Sequence, residues 1–174
     1  MDDRIAHGTS LTHGETHVLR FVLELPHPVT EVWPRVASPA GLQEWLCAAD
    51  VFEPHIGGQV RLRWLNTDEG GNATVAAGEV TAWDVERVAE YEVILHGRIR
   101  FHLEAPSPDA TILRFTNEIV GPAARRLDSL AGWHNHFEFL ADALDGRPKN
   151  WSTWTLDRWR ELRADYERRG GRQV

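Results

Sequence analysis

The chain is poor in what would tie it to an oxidising compartment, a membrane or a nucleic acid. It has a single cysteine, Cys47, so no internal disulfide can form. Cys47 sits in an apolar run, which predicts a small core residue and not a reactive thiol. No apolar run approaches the roughly 20 residues that cross a bilayer. The opening segment MDDRIAHGTSLTHGETH lacks the apolar stretch of a secretory signal. Lys and Arg number 19 against 26 Asp and Glu, and the net charge of −7 argues against nucleic acid or an anionic membrane as partner. Also missing are a Gly-x-Ser-x-Gly elbow, a phosphate-binding glycine loop, a Cys–His pairing, internal repeats and low-complexity tracts. These absences predict a cytoplasmic protein that uses neither nucleotide nor other cofactor.

The 174 residues, 42% apolar and 26% charged, suffice for one domain with a sizeable core. Residues 1–15 read as a loose tail. THVLRFVLELP, from Thr16, reads as a strand ended by Pro26 and Pro28. Two short helices follow. TEVWPRVAS has Thr30 as a candidate cap and Pro34 near its first turn. SPAGLQEWLC carries Leu42, Trp45 and Leu46 at helical spacing.

The period then changes to two. In VFEPHIGGQVRLRWL, Gly57-Gly58 makes a bend or bulge between strands, and Val60, Leu62 and Trp64 alternate with Arg61 and Arg63. TVAAGEVTAW, VAEYEVIL, RIRFHLEA and ATILRFTNEIV continue the pattern. Ala89, Tyr91, Val93 and Leu95 share one face, as do Ile99, Phe101 and Leu103. The tight turns between them (NTDEGGNA, DVER, HGR, PSPD) predict an antiparallel meander with one apolar face. LDSLAGWHNHFEFLADALDG then places Leu130, Trp133, Phe137, Leu140, Ala141 and Leu144 at three- and four-residue steps. Asp128 or Ser129 would cap this helix, and Gly146 would end it. The fold class is therefore α+β, a curved antiparallel sheet wrapped on a long C-terminal helix. Residues 147–174 add a further helix, with Trp159, Leu162 and Tyr166 as its stripe and Trp151 and Trp154 at its entrance. That stripe must be buried on the domain, the expected case, or on a second chain, so the protein is a monomer or a homodimer.

Several residues invite chemistry. His134 and His136 lie two apart on a helix, about 200° of rotation, and so face opposite ways. His13 and His17 have only Glu15 as a third ligand, and no metal site is expected. His136, Tyr91 and Asn117 are the polar candidates for acid–base work near the inward faces, and unperturbed histidine titrates near 6.5. Against this stands the plainer reading of His136 as a hydrogen-bonded residue at the helix edge. The chain has eight tryptophans. Trp45, Trp64, Tyr91, Phe101, Phe115, Trp133 and Phe137 all fall on inward faces, where core packing explains any one of them. A curved sheet that grips one helix often leaves a cavity, however, and these seven with His136 are its expected lining. Gly132, without a side chain, lets a ligand approach beside Trp133.

Four stretches resemble the START-like, or SRPBCC, superfamily and within it the activator of heat-shock protein 90 ATPase homologue-like family. They are PHPVTEVWPRVASPAGLQEWL, VFEPHIGGQVRLRW, GEVTAWDVERVAEYEV and GWHNHFEFLADALDG, and together they span about residues 18–146. The resemblance implies a helix-grip fold and a pocket for a small hydrophobic molecule. It implies two further readings, a cyclase- or hydrolase-type enzyme in the same pocket and a co-chaperone-like interaction module. Members include hydrophobic-ligand binders and stress proteins. Where the family often has arginine before the Gly-Gly this chain has His55-Ile56, and Asp84-Val85 replaces its Pro-Pro hairpin.

Overall fold

A computed structural model describes residues 4–170. Eight strands form one antiparallel sheet in the order β1-β2-β8-β7-β6-β5-β4-β3. They are β1 (Thr9–His13), β2 (Thr16–Leu25), β3 (Cys47–Phe52), β4 (Gln59–Trp64), β5 (Val75–Asp84), β6 (Val88–Val93), β7 (Gly97–Ser107) and β8 (Ala110–Val120). Helices α1 (Val29–Ala37) and α2 (Pro39–Gln43) separate β2 from β3. The long helix α3 (Ala123–Leu144) follows β8, and a 3-10 turn (Trp151–Thr153) leads to α4 (Asp157–Arg168). No helix among the described residues is long and apolar enough to cross a membrane.

The period-two pattern becomes the two faces of the sheet. Leu19, Phe21, Leu23 and Leu25 of β2 are buried, while Arg20, Val22 and Glu24 between them are exposed. Across the ladder Phe21 pairs with Phe115 of β8, which pairs with Phe101 of β7. These rings meet Phe137 and Trp133 of α3, with Phe115–Trp133 centroids at 4.4 Å and Phe115–Phe137 at 5.0 Å. The concave side of the sheet thus grips α3 through one aromatic cluster. Irregular pairing at Ala49/Val51, Val80/Ala82 and Glu104/Ser107 marks bulges that help the sheet curl. The Gly57-Gly58 corner continues the ladder, as Gly57 N–H donates to Val80 O and Val80 N–H to Gly58 O.

Helices α1 and α2 cross closely at Gly41, where a Cβ would stand 1.9 Å from Pro34 O. Ser38 caps α2 by accepting Gly41 N–H and turns its own hydroxyl onto Pro34 O.

Five expectations are corrected. Residues 4–13 are not a loose tail: Ile5 is buried in the core and β1 pairs with β2 as a hairpin, which ties the segment down. Residues 1–3 of that expectation lie outside the described residues. Thr30 is not a cap, since the helix starts after Pro28 with no side-chain cap, and Pro34 lies inside α1 instead of in its first turn. Helix α3 starts at Ala123 after Pro122, so Asp128 and Ser129 are interior residues, and its 22 residues span roughly 33 Å. Pro122 presets the backbone for this earlier start. Leu95 is 55% exposed, because the chain turns over at φ +72 there instead of continuing β6.

Candidate functional site

Beside the N-terminal half of α3 lies a cleft of about 310 Å³. One wall is Gly132, Trp133, Asn135 and His136 of α3, with Asp128 and Ser129 one turn earlier. The second is Trp64 at the end of β4, with Asn66, Thr67 and Asp68 of the loop after it and Thr74. The third is His96 in the β6–β7 turn, and the fourth is Trp154, Leu156 and Trp159 of the C-terminal extension.

Each wall is held by the fold. Trp64 stacks flat on the His96 ring, with centroids 4.0 Å apart and planes at 15°. Asn117 of β8 fixes two walls at once. Its amide donates to His96 O and Arg98 O, and its Oδ1 accepts Trp133 Nε1–H at 3.0 Å. Trp159 donates its indole N–H to Asp128 O at 3.1 Å. A Cβ on Gly132 would meet only Trp159 Nε1, at 3.9 Å, so this glycine keeps the cleft open beside the helix.

The extension docks on its own domain. Leu162 and Tyr166 of α4 are buried, and the Tyr166 hydroxyl accepts Gly8 N–H and shares a hydrogen bond with His134 Nδ1. Arg158 grips the buried carboxylate of Glu138 through Nε and Nη2 at 2.8–3.2 Å. Lys149 N–H donates to Glu44 O and Trp151 Nε1–H to Gln43 O.

Of the eight residues expected to line a cavity, Trp64, Trp133 and His136 line this cleft. Trp45, Tyr91, Phe101, Phe115 and Phe137 do not. They pack on one another between sheet and helix, with Trp45–Phe137 at 5.8 Å, Trp45–Phe101 at 6.0 Å and Tyr91–Phe101 at 6.4 Å.

The three acid–base candidates separate in the same way. Tyr91 donates its O–H to Val36 O at 2.6 Å, and burial holds its phenol well above the ordinary value of 10.0. Asn117 has its amide and its carbonyl engaged as just described. His136 lines the cleft and is 5% exposed. Its Nδ1 lies 2.9 Å from Trp45 O, a pure acceptor, so Nδ1 carries the hydrogen and Nε2 the lone pair. Burial lowers its pKa to about 4, so the ring is neutral at pH 7. His134 points to the other side of the helix, toward Tyr166. Among the described residues no three His, Cys, Asp or Glu side chains converge as metal ligands.

Sequence reasoning missed Asn66, His96, Asp68 and the part played by Trp154, Leu156 and Trp159. Burial, then Arg125 and His136, bring the His96 pKa down to about 4. Among the described residues, Asn66 Oδ1 and His96 Nε2 are buried side-chain atoms that no hydrogen bond satisfies, and both residues line this cleft.

A curved antiparallel sheet closed on one long helix, with the cleft at that helix's side, defines a helix-grip protein. No family model matches the chain, and no curated protein matches it. Solved structures do. EF2215, a conserved protein of unknown function from Enterococcus faecalis, is similar at a TM-score of 0.70 and 14% identity over 93% of this chain and 89% of that one. CalU16 from Micromonospora echinospora is similar at 0.69 and 16% over 97% and 95%. DynU16, a putative protein in the dynemicin biosynthetic locus, is similar at 0.61 and 22% over 75% of this chain and 48% of that one. The likeness establishes the shared fold.

Proposed function

We propose that the protein is a member of the START-like superfamily, in its activator of heat-shock protein 90 ATPase homologue-like branch, and binds a small, flat, apolar or aromatic molecule in the cleft beside α3. The observation that carries this reading is the pairing of indole walls (Trp64, Trp133, Trp154 and Trp159) with buried polar atoms that the protein itself leaves unsatisfied. Such a mixture of apolar wall and few polar groups is characteristic of small-molecule sites. The similarity to DynU16, which is described as belonging to a biosynthetic locus, supports a role with small organic molecules. A ligand that buries about 300 Å² of apolar surface gains roughly 7 kcal/mol gross at ~25 cal/mol/Å². Association removes several kcal/mol of that, which leaves micromolar affinity or weaker. Native mass spectrometry of the protein as purified from cells tests the reading, with a bound small-molecule mass as the expected result. A protein that is ligand-free after every preparation and shows no saturable binding of aromatic compounds would overturn it.

A cyclase- or hydrolase-type reaction in the same cleft is the second reading. It is favoured by one observation, the neutral His136, which lines the cleft and keeps its lone pair on Nε2. In His136→Ala a pure binder keeps its affinity, whereas an acid–base enzyme keeps binding and loses turnover.

A further inference from the structure

The cleft's polar atoms say more about its ligand than that it is flat. Buried polar side-chain atoms are almost always hydrogen-bonded, and those that are not call for a reason. Asn66 Oδ1 and His96 Nε2 come from loops with two strands, β5 and β6, between them in sequence, yet both atoms are buried without a partner and both residues line the same cleft. Neither is loosely placed. Asn66 lies two residues after Trp64, whose N–H donates to Thr74 O and closes the base of its loop. His96 is fixed from behind, its carbonyl by Asn117 and its ring face by Trp64. A carbonyl oxygen can only accept a hydrogen bond. A neutral imidazole offers one donor and one acceptor, so His96 can complete a pair with a hydroxyl in either tautomer.

Charge sets the second limit. Asp68 and Asp128 line the cleft, and no lysine or arginine does. Asp128 is paired with Arg163, but the Asp68 carboxyl is held in its anionic form by the N–H groups of Asn72 and Gly70 and the Asn72 amide. An anionic ligand would meet this carboxylate without a countercharge in the lining.

We propose that the cleft selects a neutral aromatic molecule carrying a hydrogen-bond donor, and that Asn66 and His96 are the residues that read the donor. The inference rests on the aromatic-ligand reading above. It specifies the polar end of the ligand, with the ring among Trp64, Trp133 and Trp159 and the hydroxyl or N–H at the Asn66 and His96 end. The two side chains are specificity-determining, and the protein carries them unsatisfied until such a ligand binds.

Isothermal titration of the full chain at pH 7.5 with 2-naphthol, 2-methoxynaphthalene and 2-naphthoate tests this. The ring system is shared, and only the donor and the charge change. We expect 2-naphthol to bind about five- to ten-fold more tightly than its methyl ether, the worth of one net hydrogen bond, and 2-naphthoate not to saturate. Asn66→Leu should bring the two neutral compounds to similar affinity, and His96→Phe should narrow the gap while keeping the ring stacked on Trp64. Both variants remove an unsatisfied polar atom, so their ligand-free melting temperatures should hold or rise, whereas residues kept only for structure would lower it. Equal affinity of wild-type protein for the naphthol and its ether overturns the proposal while the aromatic reading stands, as does tight binding of the naphthoate. No saturable binding of any of the three overturns both. Should one variant fail to fold, the wild-type selectivity and the other variant decide.

Discussion

Removing Arg158 tests how the extension that forms the fourth wall of the cleft is held. The Glu138 carboxylate, with its side chain 7% exposed, receives three contacts from Arg158 at 2.8–3.2 Å, and Asn135 Nδ2 adds a longer one at 3.3 Å. In Arg158→Leu the carboxylate stays buried without its countercharge. Breaking a buried pair on one side costs about 3–5 kcal/mol, and the 32% exposure of Arg158 favours the lower end of that range. For a chain of this size each kcal/mol moves the melting temperature by roughly 2–4 °C, so a fall of about 6–12 °C is expected. The double variant Arg158→Leu, Glu138→Leu removes both charges and should recover most of the loss, since apolar replacement of a buried pair is close to neutral. Urea titrations of the four proteins of this cycle, followed by circular dichroism, give the coupling energy directly. A single variant that loses less than about 1 kcal/mol would refute the claim that this pair clamps α4 to α3, because exposed pairs are worth no more than that.

Gly132→Ala should stabilise the protein by about 1 kcal/mol through helix propensity, because the new Cβ would reach only to 3.9 Å from Trp159 Nε1; Gly132→Leu should retain the fold but lose ligand binding, and calorimetry with titration reads both. Stability should fall as pH drops from about 6.5 toward 4, since His96 and His136 are held near 4 when folded and bind protons earlier when unfolded. Each contributes on the order of 3 kcal/mol above pH 6.5. Urea midpoints that do not change between pH 7.5 and 4.5 would contradict the buried neutral imidazoles. Deleting residues 147–174 should lower the melting temperature and expose the faces that Leu162 and Tyr166 cover, and an unchanged melt would show that the docking is worth little.

The sheet and its helix were legible because burial alternates as the residues do. Ile99, Phe101 and Leu103 face inward between Arg98, Arg100 and His102 as their period requires. Where the pattern is weak the reading failed. TSLTH carries little apolar signal, and it is a strand because the turn at Gly14 folds it back on β2. The first residues of α3, AARR, have no apolar period, so the sequence does not mark its start at Ala123. The cleft was half legible. Trp133 and His136 share one helix and Trp64 a strand with clear alternation, but Asn66 and His96 sit in turns that carry no periodic signal. The extension supplies its wall through tertiary docking, which no spacing within the sequence encodes.

The proposed ligand occupies the cleft beside α3 and not the interior between sheet and helix. The indole N–H resonances of the eight tryptophans report on both places in one nitrogen–proton correlation spectrum. On titration with 2-naphthol, Trp64, Trp133, Trp154 and Trp159 should shift saturably together, while Trp45, fully buried and bonded through Nε1 to Arg35 O, should stay in place with Trp33 and Trp83. Saturable shifts centred on Trp45, with the cleft indoles unmoved, would contradict the account.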